Sequence, residues 1–147
     1  MAVENPVLVG IGVVVFNYNG EFLLTKRLSK HAFGTYAVPG GWLEFGETFE
    51  DAAKREVKEE HDLEIDNIHV LGVSNNMFPD ENKHTVSVIV GALAKGGEPK
   101  IMEPHKCESF FWHKDWHNMP EPLMAPYTQY ISQADLDRYW RLVTEKE

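Results

Sequence analysis

The segment from Phe49 to His61 has helical spacing, yet it puts carboxylates on the face that a helix should bury. Thr48 has the chemistry of an N-cap, and Glu50 and Asp51 place negative charge in the first turn, so a helix is predicted from about Phe49 to His61. At about 100° per residue, Phe49, Ala52, Ala53 and Val57 form its apolar stripe. Glu56 and Glu60 fall inside that stripe and Glu59 lies on its shoulder. Carboxylates buried there without partners are costly or are forced to protonate. All three also lie toward the helix C-terminus, where the macrodipole disfavours negative charge. On this wheel Lys54, Arg55 and Lys58 point to other faces, so the compensating charge has to come from outside the helix. An all-carboxylate cage suits a hard cation such as Mg²⁺ or Mn²⁺. The competing reading is a solvated helix whose charges pair along its own surface. The phase against Phe49, Ala53 and Val57 counts against it.

Around this helix the pattern is that of strands. Val7 to Phe16 is β-branched and apolar, as in a strand buried on both faces. Asn17 to Gly20 offers a turn, and Glu21 to Arg27 reads as the return strand of a hairpin. Leu28 to Thr35 reads as loop, and Tyr36 to Val38 as a short strand that Pro39-Gly40-Gly41 should stop. Strands are expected at Ile65 to Phe78, His84 to Ala94 and Ser109 to His113, and an amphipathic helix over Tyr127, Tyr130, Ile131, Leu136, Tyr139, Trp140 and Val143. This β-β-β-α-β-β-β-α order predicts a mixed sheet covered by helices, an α/β (α+β) unit spanning residues 1–147 as one domain.

Charge narrows the function. With 14 Lys+Arg against 23 Asp+Glu the formal net charge is −9, which disfavours nucleic acid and anionic membrane surfaces as partners. One cysteine, Cys107, cannot form an internal disulfide, and Met1 to Glu4 shows no basic leader, so a soluble cytoplasmic protein is expected. His113 and His117 lack any zinc-ligand companion spacing.

The longer pattern identifies a family. Gly41, five residues, Glu47, seven residues, Arg55-Glu56-Val57, one residue, Glu59-Glu60, one residue, Asp62-Leu63 resembles the signature of the Nudix hydrolases. Asp62 stands where that signature has glycine, in a place that calls for a left-handed residue, which aspartate tolerates better than most. The resemblance implies the Nudix fold, an α-β-α sandwich with a mixed sheet. It also implies Mg²⁺-dependent hydrolysis of a nucleoside diphosphate linked to another group, with Mn²⁺ as a substitute. It makes Glu56 and Glu60 the main metal ligands, with Glu59 and the Gly40 carbonyl joining them and Glu108 as the separate downstream glutamate. Arg55 would pair with Glu47, holding the loop to the helix.

Beyond the signature, Leu43 to Thr48, Glu103-Pro104 and Cys107 to Ser109 resemble the nucleoside triphosphate diphosphatases that act on oxidised or substituted purine nucleotides. That branch implies a substrate site with Lys26 and Arg27 near phosphates, Gly41 beside them, and Val38, Ser87, Tyr127 and Tyr130 lining a base pocket, with His84 nearby. Plain core packing is the alternative for each pocket residue. Pro79, sixteen residues past Leu63, fits ADP-ribose pyrophosphatases instead, although it is also ordinary turn chemistry. The pattern typical of NADH diphosphatases is absent. A catalytically silent nucleotide-binding module is the reading of another class, and the presence of Glu56, Glu59 and Glu60 argues against it. Trp112, Trp116, Trp140 and the final helix offer either a homodimer face or packing on their own sheet.

Overall fold

Strand β1 (Leu8–Phe16) sorts its side chains by parity, and this sets the layers. Ile11, Val13 and Val15 pack with Ala52, Ala53 and Val57 of α1 (Phe49–His61) on one face. Val14 and Phe16 pack with Leu136 and Tyr139 of the C-terminal helix on the other. The sheet is therefore buried on both sides between helices, as the sequence predicts. This is a computed structural model, and it describes residues 5–124 and 127–145. Among the described residues no helix is long and apolar enough to cross a membrane.

The remaining elements are β2 (Phe22–Arg27), β3 (Tyr36–Ala37), β4 (Gly40–Trp42), β5 (Ile65–Phe78), β6 (Lys83–Ala94), β7 (Cys107–His113), α2 (Tyr127–Tyr130) and α3 (Gln133–Thr144). They form a seven-stranded mixed sheet in the order β3-β2-β1-β6-β5, with β4 on β1 and β7 on β2. β1 runs parallel to β6, while its other pairings are antiparallel. β1 and β2 are in register only at Phe16↔Phe22. Beyond that point β1 takes β4 along its edge and β2 takes β3, so the two halves of the sheet splay apart. The cleft between them holds the site described below.

Three expectations are corrected. Pro39-Gly40-Gly41 does not stop the ladder, because Gly40 and Gly41 pair with Gly12 and Ile11 as part of β4. A Cβ on Gly40 would run into the Ile11 carbonyl oxygen, so glycine permits the pairing rather than preventing it. The final helix is broken: Ser132 accepts a hydrogen bond from the Asp135 N–H while Asp135 accepts one from the Ser132 N–H, a capping box that starts α3 afresh after α2. Phe49 is 41% exposed and lies off the core, leaving Ala52, Ala53 and Val57 as the buried stripe. Of the aromatics offered as a dimer face, Trp116 is fully buried and donates to the Ile131 carbonyl at 2.7 Å, and Tyr139 is buried beside it in the same core. Trp116 and Tyr139 therefore pack on the chain's own sheet. Part of the proline-broken stretch Pro120 to Pro126 lies outside the described residues.

Candidate active site

Helix α1 is fixed at both ends by the residues expected to do so. The Thr48 hydroxyl accepts from the Asp51 N–H at 3.0 Å, and Asp62 closes the helix in left-handed conformation with its N–H on the Lys58 carbonyl. Between these caps the carboxylates face β4 and the splayed cleft. Arg55 is the main departure from the helical wheel. Its guanidinium donates to both oxygens of Glu47, at 2.7 and 2.8 Å, to the Trp42 carbonyl at 3.1 Å and to Glu56 at 2.7 Å. It also lies 3.5 Å from Glu59 and 3.7 Å from Glu44. The wheel put Arg55 elsewhere because it tracks only Cβ direction, whereas a long side chain can bend back along the helix surface. Lys54 and Lys58 do point away, pairing with Glu50 and with Asp62 and Glu64. Hydrogen bonding to Arg55, helped by the Glu44 N–H, holds the Glu47 carboxyl down at about 2.

Glu60 is in the opposite condition. Its carboxyl accepts the Gly40 N–H at 3.1 Å, and among the described residues no lysine or arginine lies within ion-pair distance. The surrounding protein atoms, then the negative charges of Glu56 and Glu103, push it up to about 8, with Gly40 and Arg27 opposing. Burial raises Glu56 as well, against the pull of Arg55. Glu59 is more exposed, and a Cβ on Gly41 would collide with the Glu56 carboxylate. Among the described residues no three His, Cys, Asp or Glu side chains stand close enough to hold a metal ion as placed, since Glu56 is turned to Arg55 and Glu60 to Gly40. The donor set is nevertheless all oxygen, and Glu60 carries a crowded carboxyl that no cation neutralises. This is the chemistry a hard divalent cation fits.

A cavity of about 500 Å³ extends from these carboxylates into the cleft. Of the residues expected there, Arg27, Val38, Gly40, Gly41, Arg55, Glu56, Glu59, Glu60, Ser87 and Tyr127 line it. Glu47 stands behind, holding Arg55. Glu108, His84 and Tyr130 do not line it. Glu108 is the clearest correction: β7 pairs Cys107 with Arg27 and Ser109 with Lys26, so Cys107 meets the cavity and Glu108 alternates outward, 3.4 Å from Lys26. His84 bonds the Asn75 side chain, and the Tyr130 hydroxyl donates to the Asn75 carbonyl outside the pocket. Arg27 spends its guanidinium on the His31 carbonyl, at 3.1 and 3.2 Å, bracing the loop after β2.

Sequence reasoning missed Glu103 and the polar wall of β5 and β6. The Lys100 and Met102 N–H groups donate to the His61 and Glu60 carbonyls, folding this segment over the end of α1 and bringing Glu103 to the cavity. No spacing in the sequence announces that contact. The wall was more legible: Ser74 and Asn76 alternate on β5, Thr85 and Ser87 on β6, and the register pairs Ser74 with Ser87 and Asn76 with Thr85. The Asn76 side-chain amide donates to the hydroxyls of Thr85 at 3.3 Å and Ser87 at 3.1 Å, and the Ser74 hydroxyl donates to Asn76 Oδ1. Buried polar residues two apart on neighbouring strands were the available signal.

Residues 6–134 match the NUDIX domain. The chain belongs to the Nudix hydrolase family. It is 35% identical over 107 residues to an ADP-ribose pyrophosphatase of Methanocaldococcus jannaschii, covering 73% of this chain and 62% of that protein. It is 33% identical over 125 residues to the NAD-capped RNA hydrolase NudC of Pasteurella multocida, covering 82% of this chain and 43% of that protein. The chain thus spans less than two thirds of the length of these relatives. Among solved structures, the MutT NUDIX hydrolase from Burkholderia pseudomallei superposes with a TM-score of 0.75 at 28% identity, covering 90% of this chain and 97% of that one. The Nudix fold expected from the signature is the fold observed.

Proposed function

We propose that the chain is a divalent-metal-dependent pyrophosphohydrolase acting on a nucleoside diphosphate linked to another group, with a base-modified nucleoside triphosphate as the first substrate. The products are the monophosphate and pyrophosphate. The observation that carries this reading is Glu60, a crowded carboxyl with no lysine or arginine at ion-pair distance among the described residues, lining a nucleotide-sized cavity beside Glu56 and the Gly40-Gly41 backbone.

Glu56 and Glu60 would hold the metal, with Glu59 from the more exposed side, the Gly40 carbonyl, and Glu103 in the role expected of Glu108. Mg²⁺ is the cation of this reading and Mn²⁺ its substitute. When bound, such a cation supplies charge neutralisation for the pyrophosphate and a lowered pKa for water. Arg55 is a positioning residue: clamped by Glu47 and Trp42, it holds Glu56 and faces Glu59. Val38, Ser87 and Tyr127, which also line the cavity, would take the base, whereas Glu108, His84 and Tyr130 have no part in this reading.

ADP-ribose is the second reading, favoured by the 35% identity to a protein of that name and by Pro79, which opens the turn Pro79–Glu81 between β5 and β6. The test is product analysis with Mg²⁺ across dGTP, 8-oxo-dGTP, dCTP, ADP-ribose and NADH. Pyrophosphate with a nucleoside monophosphate supports the first reading; AMP with ribose 5-phosphate from ADP-ribose alone replaces it with the second. No turnover of any of them, with metal bound, removes both in favour of a binding module.

A further inference from the structure

The Tyr127 side chain is 2% exposed and lines the cavity, yet among the described residues its hydroxyl has no hydrogen-bond partner. A buried hydroxyl left unpaired is costly, and the sense of the missing bond can be read from its surroundings. The Val38 backbone N–H and the Arg27 guanidinium act on it from nearby, short of hydrogen-bond geometry. Both are donors, so neither can receive the hydroxyl hydrogen. Burial pushes the phenol up to about 12, so it keeps that hydrogen throughout the neutral range. Among the described residues the hydroxyl hydrogen therefore has no acceptor. Across the cavity the Ser87 oxygen accepts from Asn76, which leaves its own hydrogen to give as well.

We propose that the Tyr127 hydroxyl donates a hydrogen bond to the base of the bound nucleotide, at a carbonyl oxygen or unprotonated ring nitrogen, and selects for bases that present such an acceptor. This rests on the nucleotide reading of the cavity. A base that turns an amino group toward Tyr127 offers no acceptor and leaves the hydroxyl hydrogen unpaired, a penalty that a base with an acceptor avoids.

The test is calorimetric titration of dGMP, dAMP, dCMP and Mg²⁺-pyrophosphate into wild type and Tyr127→Phe, with melting temperatures of both ligand-free proteins. The expected result is a loss of about five- to thirtyfold in affinity for the best-bound monophosphate, a narrowed spread among the three bases, and unchanged pyrophosphate binding. The ligand-free variant should melt no lower than wild type, because an unpaired hydroxyl has been removed. Tyr127→Met, which also lacks the hydroxyl, should repeat the loss for the same monophosphate. Equal monophosphate affinity in wild type and Tyr127→Phe, with a lowered melting temperature, would overturn the proposal and assign the hydroxyl to the protein's own packing. Wild type that binds pyrophosphate but no monophosphate would overturn the base pocket itself, and the role of Tyr127 with it.

Discussion

At the residue scale the site sets two carboxylates against each other. Glu47 is fully committed to Arg55, while Glu60 has a backbone N–H and like-charged neighbours. Glu60→Gln keeps the shape and the Gly40 hydrogen bond but removes the charge. Turnover should therefore fall by at least about a hundredfold while the ligand-free melting temperature at pH 8 does not drop, which steady-state kinetics and calorimetry will check. Lys54→Ala is the contrasting case on the same helix, since Lys54 pairs with Glu50 and does not line the cavity. Its turnover should match wild type. The two glycines of β4 also separate function from fold. Gly41→Ala would displace the Glu56 carboxylate, a flexible group, so activity should suffer more than stability. Gly40→Ala meets the Ile11 carbonyl, and backbone cannot step aside. That variant should lose about 1–3 kcal/mol of stability in urea unfolding.

At the scale of elements, caps decide where helices begin, and periodicity alone does not reveal them. The apolar spacing from Tyr127 to Val143 runs through Ser132 as if one helix continued. The reciprocal bonds of Ser132 and Asp135 end that continuity and let α3 set out in its own direction over the sheet. Ser132→Ala should cost about 1 kcal/mol, read as a lower urea midpoint with an unchanged slope. The strands teach a related lesson. Glu108 was the expected downstream ligand from its position in the chain, but one-residue alternation on β7 sends it to Lys26, and a loop tied to the last turn of α1 brings Glu103 instead.

At the scale of the whole molecule, opposing titrations shape stability against pH. Glu60 ionises near 4.5 when unfolded but only at about 8 when folded, so the folded state holds the extra proton and loses stability as pH rises through that window. His61, buried and bonded to the Lys100 carbonyl, is shifted below 6.5, so it adds stability as pH rises toward that value. Glu47, held at about 2, withdraws its contribution only below about 4.5. Between pH 6.5 and 8 Glu60 acts alone among these three. The melting temperature of the metal-free protein should fall across that range, and Mg²⁺ should restore it more strongly at pH 8 than at pH 6.5. Glu60→Gln should abolish both effects.

Legible from residue order alone were the helix Phe49–His61 with its Thr48 and Asp62 caps, the carboxylates on one of its faces, the layering of helices about a mixed sheet, and the family. These follow from interactions within a turn or a strand, where spacing along the chain is also spacing in the molecule. Spacing along the chain does not show that Arg55 grips Glu47 and Glu56 together, that Glu103 rather than Glu108 lines the cavity with Glu60, or that the buried Tyr127 hydroxyl is left without an acceptor among the described residues. Those outcomes depend on the splay between β1 and β2, on strand register and on how one loop docks, and residues brought together in this way leave no fixed interval in the sequence.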